Sequence, residues 1–365
     1  MRLALANVRN YGSLEFVPSD GLNVIVGANG QGKSNLLEAI GILATGKSFR
    51  TQRERELLRH GERAAHIAGE ARVRFGEIRL ACALELSDRG LRKRYTVNGE
   101  PVRYARYLGR TRVVSFAPAD LQLVAGPPAL RRGLLNAALA QASPPYYGHL
   151  VGYARALAQK NALLRGTVDP DQALCEVYDG RLAQHGASLM LARAQYIAEL
   201  GHRARAAYAG WVAGDRAASF EIAYRPSVAV DADHADGVSA QLSAALVAGR
   251  ARERNRKAAL VGPHRDDVEL TLGGESLAAF GSQGERRTAV LALKVAEYGV
   301  AAARSGDPPI LLLDDVLSEL DAARQRAFLH GVGAFEQAFV TATDGLTGVA
   351  AAATFAVADA SVRPC

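Results

Sequence analysis

The sequence predicts a discontinuous α/β lobe, with an antiparallel β portion of its own, interrupted by an inserted and mostly helical lobe. Three observations carry that expectation. Residues 22–26 (LNVIV) and 310–313 (ILLL) are short continuous apolar runs, as expected of strands buried on both faces, and they lie near opposite ends of the chain. Between Ile78 and Leu86 apolar residues fall at every second position, the pattern of a half-buried antiparallel strand. From about Leu121 to Lys257 the chain is rich in Ala and Leu with few β-branched runs, which favours helices.

Taken in order, Leu3 and Leu5 alternate with small residues, and Leu14 and Phe16 repeat the pattern after a turn at Tyr11-Gly12-Ser13. The strand at 22–26 runs into a glycine-rich loop, after which Leu36, Leu37, Ile40 and Ala44 share one helical face. Tyr95 and Val97 precede Asn98-Gly99, a tight-hairpin pair because both residues tolerate positive φ. Val113, Val114 and Phe116 make a further short strand. Helices are expected over 130–142, 146–164, 172–208 and 239–257, with a strand and loop over 220–230 and a polar loop over 231–237. Pro308-Pro309 breaks the chain before the strand at 310–313, and 339–341 reads as another strand. The α/β pattern resumes after about residue 258. The expected division is therefore 1–116 with 258–365 for the α/β lobe, and 117–257 for the helical lobe.

Composition narrows the function classes. Hydrophobic residues make up 49% and charged residues 22%, as in a globular protein rather than a disordered one. Lys and Arg outnumber Asp and Glu by 44 to 37, a formal charge of +7 that favours polyanionic partners through counterion release. Cys82, Cys175 and Cys365 are scattered without a CxxC pair, which argues against a disulfide framework and a structural zinc site. No apolar run reaches the ~18 residues of a spanning helix, and the opening residues lack an apolar signal region, so a cytoplasmic location is expected.

Gly27-Ala28-Asn29-Gly30-Gln31-Gly32-Lys33-Ser34 fits the P-loop pattern G-x-x-x-x-G-K-[ST], between a strand and a helix as that motif requires. Its glycines let backbone N–H groups wrap a phosphate, and the helix that follows offers its positive end to the same anion. Lys33 is placed to bridge the β- and γ-phosphates of ATP and Ser34 to complete the coordination of Mg²⁺, and Asn35 is expected among the nucleotide-binding residues. Asp314 and Asp315 end the apolar strand at 310–313. At the carboxyl end of a parallel sheet Asp314 is expected to hold the magnesium and Asp315 to orient or polarise the attacking water. Ser318-Glu319-Leu320-Asp321 has the spacing of the D-loop of ABC ATPases.

Ser282-Gln283-Gly284-Glu285 opens a predicted helix and resembles the ABC signature, in which Ser282, Gly284 and Glu285 would form a second anion site at a helix end. The same Ser-x-x-Glu spacing is also that of a capping box. In ABC proteins this site reaches the nucleotide held by a second molecule, so ATP would join two copies of the chain.

With these motifs, the chain resembles the RecF family of bacterial recombination-repair proteins, relatives of SMC heads without the long coiled coil. The resemblance extends over almost the whole chain. Besides the P-loop, signature and LLLDDVLSELD, it rests on Asn7-Val8-Arg9-Asn10-Tyr11, Lys47-Ser48-Phe49-Arg50-Thr51, Val97-Asn98-Gly99, Phe116-Ala117-Pro118-Ala119-Asp120-Leu121 and Gly262-Pro263-His264-Arg265-Asp266-Asp267. It implies an ABC-type ATPase head, an ATP-dependent homodimer, slow DNA-dependent hydrolysis, and binding to duplex or gapped DNA without regard to sequence. It also implies cooperation with the RecO and RecR mediators in loading recombinase, and a link to the SOS response. Against general ABC ATPases, Asp315 replaces the catalytic glutamate and Val340-Thr341-Ala342-Thr343-Asp344 replaces the switch histidine. Asp120 falls near the Q-loop position.

For DNA, Arg131 with Arg132, and Arg252, Arg256 and Lys257 near the end of a predicted helix, are the expected phosphate ligands. His264 and Arg265 have an alternative structural reading, tying the returning strand to the helical lobe. A transporter cassette fits poorly, because such cassettes are more compact than a chain with this insertion. The alternative that remains is a dimer scaffold switched by ATP without hydrolysis.

Overall fold

The computed structural model describes residues 2–74, 76–166, 171–212, 219–316, 325–326, 328, 335–343 and 350–365. They fall into two compact units, Met1–Leu121 with Val290–Cys365, and Gln122–Ala289.

The first unit holds two six-stranded sheets. One is antiparallel, in the order β2-β1-β4-β5-β6-β7, from β1 (Arg2–Val8), β2 (Tyr11–Phe16), β4 (Ala64–Val73), β5 (Gly76–Ser87), β6 (Gly90–Val97) and β7 (Glu100–Val102). Asn98 and Gly99, with φ of 54° and 87°, make the tight turn between β6 and β7 that their residue types predict. The other sheet runs β15-β14-β3-β13-β12-β8, from β3 (Gly21–Val26), β8 (Val113–Phe116), β12 (Ile310–Asp314), β13 (Gln337–Ala342), β14 (Ala353–Ala358) and β15 (Ser361–Pro364). All its neighbours are parallel except β14 and β15. Helix α1 (Lys33–Thr45) packs against both sheets, and its Leu36, Leu37 and Ile40 are fully buried with Leu5, Ile67 and Leu80 on one side and Leu312 and Phe339 on the other. Also in this unit, α2 (Tyr104–Tyr107) is a single turn.

The second unit is built on α3 (Pro128–Ala142), α4 (Pro144–Leu164), α5 (Gln172–Trp211) and α6 (Ala235–Arg256). Leu182, Leu189, Tyr196, Leu200 and Ala204 of the 40-residue α5 recur at helical spacing and are buried, which is what holds so long a helix in place. Strands β9 (Phe220–Arg225), β10 (Asp267–Leu272) and β11 (Glu275–Ser276) form a three-stranded antiparallel sheet, followed by α7 (Leu277–Phe280). The division expected at residue 258 falls instead at 290, within α8 (Gln283–Ser305). The reason is pairing: Leu270 lies opposite Ile222 and Leu272 opposite Phe220, so 267–276 belong to the sheet of β9.

Among the described residues no helix is long and apolar enough to cross a membrane.

Candidate nucleotide site and its surroundings

The glycine loop follows β3 and ends on α1, at the carboxyl end of the parallel sheet. At Gly27, φ is 150° and a Cβ would lie 2.3 Å from the Val357 carbonyl oxygen, so only glycine lets the loop pass β14. Lys33 is 7% exposed, and its Nζ donates to the carbonyls of Gly27 (2.6 Å) and Ala28 (3.0 Å), which places the ammonium inside the loop. The β1–β2 turn braces the loop from behind. Asn10 Nδ2 donates to Gln31 O at 3.0 Å, Tyr11 Oη to Gly32 O at 3.1 Å, and Asn35 Nδ2 to Asn10 Oδ1 at 2.9 Å.

Strand β13 lies between β3 and β12, and its Thr341 sets both aspartates. The Thr341 hydroxyl donates to Asp314 Oδ1 at 3.0 Å and accepts from the Asp315 amide at 2.8 Å. Asp314 is buried, whereas Asp315 is half-buried with a φ of 55° that turns the chain out of the strand. The P-loop residues Asn29, Gly30, Gly32, Lys33, Ser34 and Asn35 line one cavity of about 150 Å³ with Arg50, Asp315 and Thr341. A groove of about 990 Å³, lined in part by Arg9, Asn10, Arg55, Arg59 and His60, shares Asn35 with it.

Arg50 was not among the expected site residues. Its NH1 donates to Asn35 Oδ1 at 2.8 Å, and its Nε lies 3.8 Å from Asp314 Oδ2. The Ser48 hydroxyl accepts from the amides of Arg50 and Thr51 and donates to Glu38, folding the loop back onto α1. Glu38 is 1% exposed and receives Arg9 through both carboxylate oxygens, at 2.7 and 2.9 Å. The signal lay in the Lys47–Thr51 motif, but only folding brings Arg50 to the cavity.

Other expectations fall elsewhere. Asp120 does not line that cavity. Its Oδ2 accepts from the Ala117 amide at 2.9 Å, and its Oδ1 lies 3.6 Å from Lys294 Nζ, which Glu297 accompanies at 3.0 Å. Burial opposes the Lys294 charge, but Asp120 and Glu297 outweigh it and hold its pKa above the ordinary lysine value. Ser318-Glu319-Leu320-Asp321 lies outside the described residues.

In the second unit, Ser282 and Glu285 form a reciprocal capping box at the start of α8. Glu285 N donates to Ser282 Oγ at 3.2 Å, and Ser282 N to Glu285 Oε2 at 2.8 Å. The helix end is thus rigid, with Ser282 and Glu285 set on either side of Gly284.

Arg131 is not available as a phosphate ligand. It is 8% exposed, pairs with both oxygens of Asp267 at 2.7 and 2.9 Å, and donates from NH1 to the carbonyls of Leu123 and Gly126. Burial opposes the Asp267 carboxylate, yet Arg131 beside it keeps its pKa below the ordinary value. Arg132 is partly buried and gives one arm to the Asp266 carbonyl at 2.7 Å. Both serve the Gly262–Asp267 turn, which is a structural hub. The buried Arg193 reaches Pro263 O (2.7 Å), Asp266 Oδ2 (3.2 Å) and Asn136 Oδ1 (3.0 Å), and Tyr224 donates to the same Asp266 oxygen. His264 sits between Tyr153 Oη (2.7 Å) and Ala259 O (3.1 Å), and burial lowers its pKa, favouring the neutral ring. This is the structural reading of His264.

By contrast Arg252, Arg254, Arg256 and Lys257 are exposed. The acid among them, Glu253, points inward to Lys160 at 2.5 Å, and Arg250 is held by Asp179 at 3.0 Å. The end of α6 therefore presents charge of one sign.

Residues 1–360 match the family model described as the RecF/RecN/SMC N terminal domain. The chain is similar to the DNA replication and repair protein RecF of Symbiobacterium thermophilum, with 43% identity over 94% of this chain and 90% of the relative. To that of Shouchella clausii it is 39% identical, over 93% and 91%. It also resembles solved structures of the recombination mediator protein RecF of the RecFOR pathway, with ATPrS and with ATP. Each superposes with a TM-score of 0.90 at 30% identity, covering 100% of this chain and 97% and 96% of theirs.

Proposed function

The chain belongs to the RecF family of DNA replication and repair proteins, and on that premise we propose that it is an ATP-switched, DNA-binding dimer of recombinational gap repair. The observation that carries the reading is the single cavity in which the glycine loop, Lys33, Ser34, Arg50 and Asp315 meet, with Asp314 held at its rim through Thr341 and beside Arg50. A triphosphate in that cavity meets two cations and the positive end of α1, and the adjoining groove has room for the nucleoside. The hydroxyl of Ser34 and the carboxylate of Asp314 are hard oxygen donors of the kind Mg²⁺ takes, with water and phosphate completing its shell. When bound, the metal neutralises charge on the phosphates. Asp315 is the group placed to orient water, and its short reach supports slow hydrolysis, used to reset the switch.

The rigid tip formed by Ser282, Gly284 and Glu285 is the surface proposed to meet the γ-phosphate of a second copy. Sedimentation with ATP, ADP and no nucleotide tests this. Wild type is expected to dimerise only with ATP. Ser282→Arg is expected to bind ATP as a monomer and fail to dimerise, because the new side chain fills the space the phosphate needs. Normal ATP-dependent dimers of Ser282→Arg would overturn the trans role.

DNA is proposed to lie against exposed cations at the end of α6, Arg252 and Arg256 one turn apart and Lys257 next to them. They contact phosphates and do not read bases. Replacing Arg252, Arg256 and Lys257 together by Gln is expected to weaken binding to every duplex sequence alike. The slope of log K against log salt should become shallower by roughly 2 to 3. An unchanged slope would exclude this face. In the cytoplasm the ATP-bound dimer would act with RecO and RecR to load recombinase at gaps, and so feed the SOS response.

A further inference from the structure

We infer that Phe280 is an apolar anchor of the interface between two copies of this chain, covered when ATP brings the tip of α8 onto its partner. The inference rests on the trans role of Ser282 proposed above and adds to it a residue that contacts protein rather than phosphate. Phe280 is 76% exposed, the most exposed of the large apolar side chains described, although it directly follows a well-anchored turn. Leu277, at the foot of α7, is 2% exposed. The Gly281 amide donates to Leu277 O at 3.1 Å, and Arg286 donates from Nε to Leu277 O at 2.9 Å and from NH2 to Ala278 O at 3.1 Å. A Cβ at Gly281 would lie 2.7 Å from Leu277 O, so the chain closes tightly just after Phe280. The capping box then holds the next turn.

An aromatic ring kept in water on a backbone fixed from both sides is a preorganised contact. It has two side-chain torsions to restrict on binding and a large apolar area to bury. The occupant follows from position. Cα atoms two residues apart lie within about 7 Å of each other, so a partner surface that reaches Ser282 passes beside residue 280. If Ser282 meets the nucleotide of a second copy, the wall around that nucleotide is what Phe280 meets.

The test uses the full chain. Phe280→Ser removes a mostly exposed side chain and is expected to leave ATP binding by the monomer unchanged, while weakening the ATP-dependent dimer roughly 10- to 100-fold in sedimentation. Phe280→Trp adds a reporter to a chain whose single native tryptophan is Trp211. The emission of this variant should shift to the blue with ATP, in proportion to dimer formed, and not with ADP. Dimerisation of Phe280→Ser at wild-type affinity would overturn the inference alone, leaving the trans role of Ser282 intact. So would an emission from Phe280→Trp that ignores ATP and responds to DNA without nucleotide, which would make the ring a base-stacking group. A wild-type chain that stays monomeric with ATP would overturn both.

Discussion

Lys33→Ala is expected to raise the Kd for ATP by about 100-fold or more, and to abolish ATP-dependent dimerisation and DNA retention in the same step. A hydrogen bond to a charged group contributes about 1.5–3 kcal/mol, and in a partly enclosed site the bonds to two phosphates approach or exceed the upper end. Lys33 is the cation nearest the inside of the glycine loop, held there by the carbonyls of Gly27 and Ala28. Alanine leaves the fold intact, because Ala28 is exposed and Gly27 only half-buried, so water can satisfy both carbonyls. Arg50 cannot substitute, since it is engaged at Asn35 and lies beside Asp314 on the far wall. Titration with a fluorescent nucleotide, paired with sedimentation, measures both effects. ATP-dependent dimers formed by Lys33→Ala at ordinary nucleotide concentration would show that the loop does not govern the switch.

Arg193→Ala is expected to destabilise the second unit by about 3–5 kcal/mol, which for a unit of this size lowers Tm by roughly 6–20 °C. Arg193 is 2% exposed, and Asp266 is 1% exposed. Without the guanidinium, Asp266 keeps the Tyr224 hydroxyl and the Ser227 amide but loses its countercharge, and Asn136 and the Pro263 carbonyl each lose a donor. The cost comes from stranding a buried anion, so Asp266→Asn together with Arg193→Met should recover part of the loss. Calorimetry on the single and double variants reads this directly. A loss under about 1 kcal/mol for Arg193→Ala would mean that the hub is open to water.

The hub shows where sequence reading reaches its limit. Gly262–Asp267 stood out as a motif, and its residues knit α3, α4, α5 and β9 together. Arg131 and Arg132 made a plausible phosphate-binding pair, until Asp267 and the Asp266 carbonyl turned out to be their partners. A positive charge in a sequence carries no record of which acid it faces. Glu253 shows the reverse: it interrupts the run of arginines in the sequence, yet it turns inward to Lys160 and leaves Arg252, Arg254 and Arg256 exposed around the end of α6.

Local order along the chain decided the rest. Periods of two and of three to four residues marked strands and helices, and Asn98-Gly99 marked its turn. The glycine loop and the paired aspartates announced a phosphate site, because each of these is set by neighbours along the chain. The tertiary structure alone decided that residues 267–276 pair with β9, that Thr341 stands between the loop and the aspartates, and that Arg50 reaches the cavity. Those outcomes depend on contacts between segments far apart in sequence, where hydrogen bonding and burial choose among partners that look equivalent in the chain.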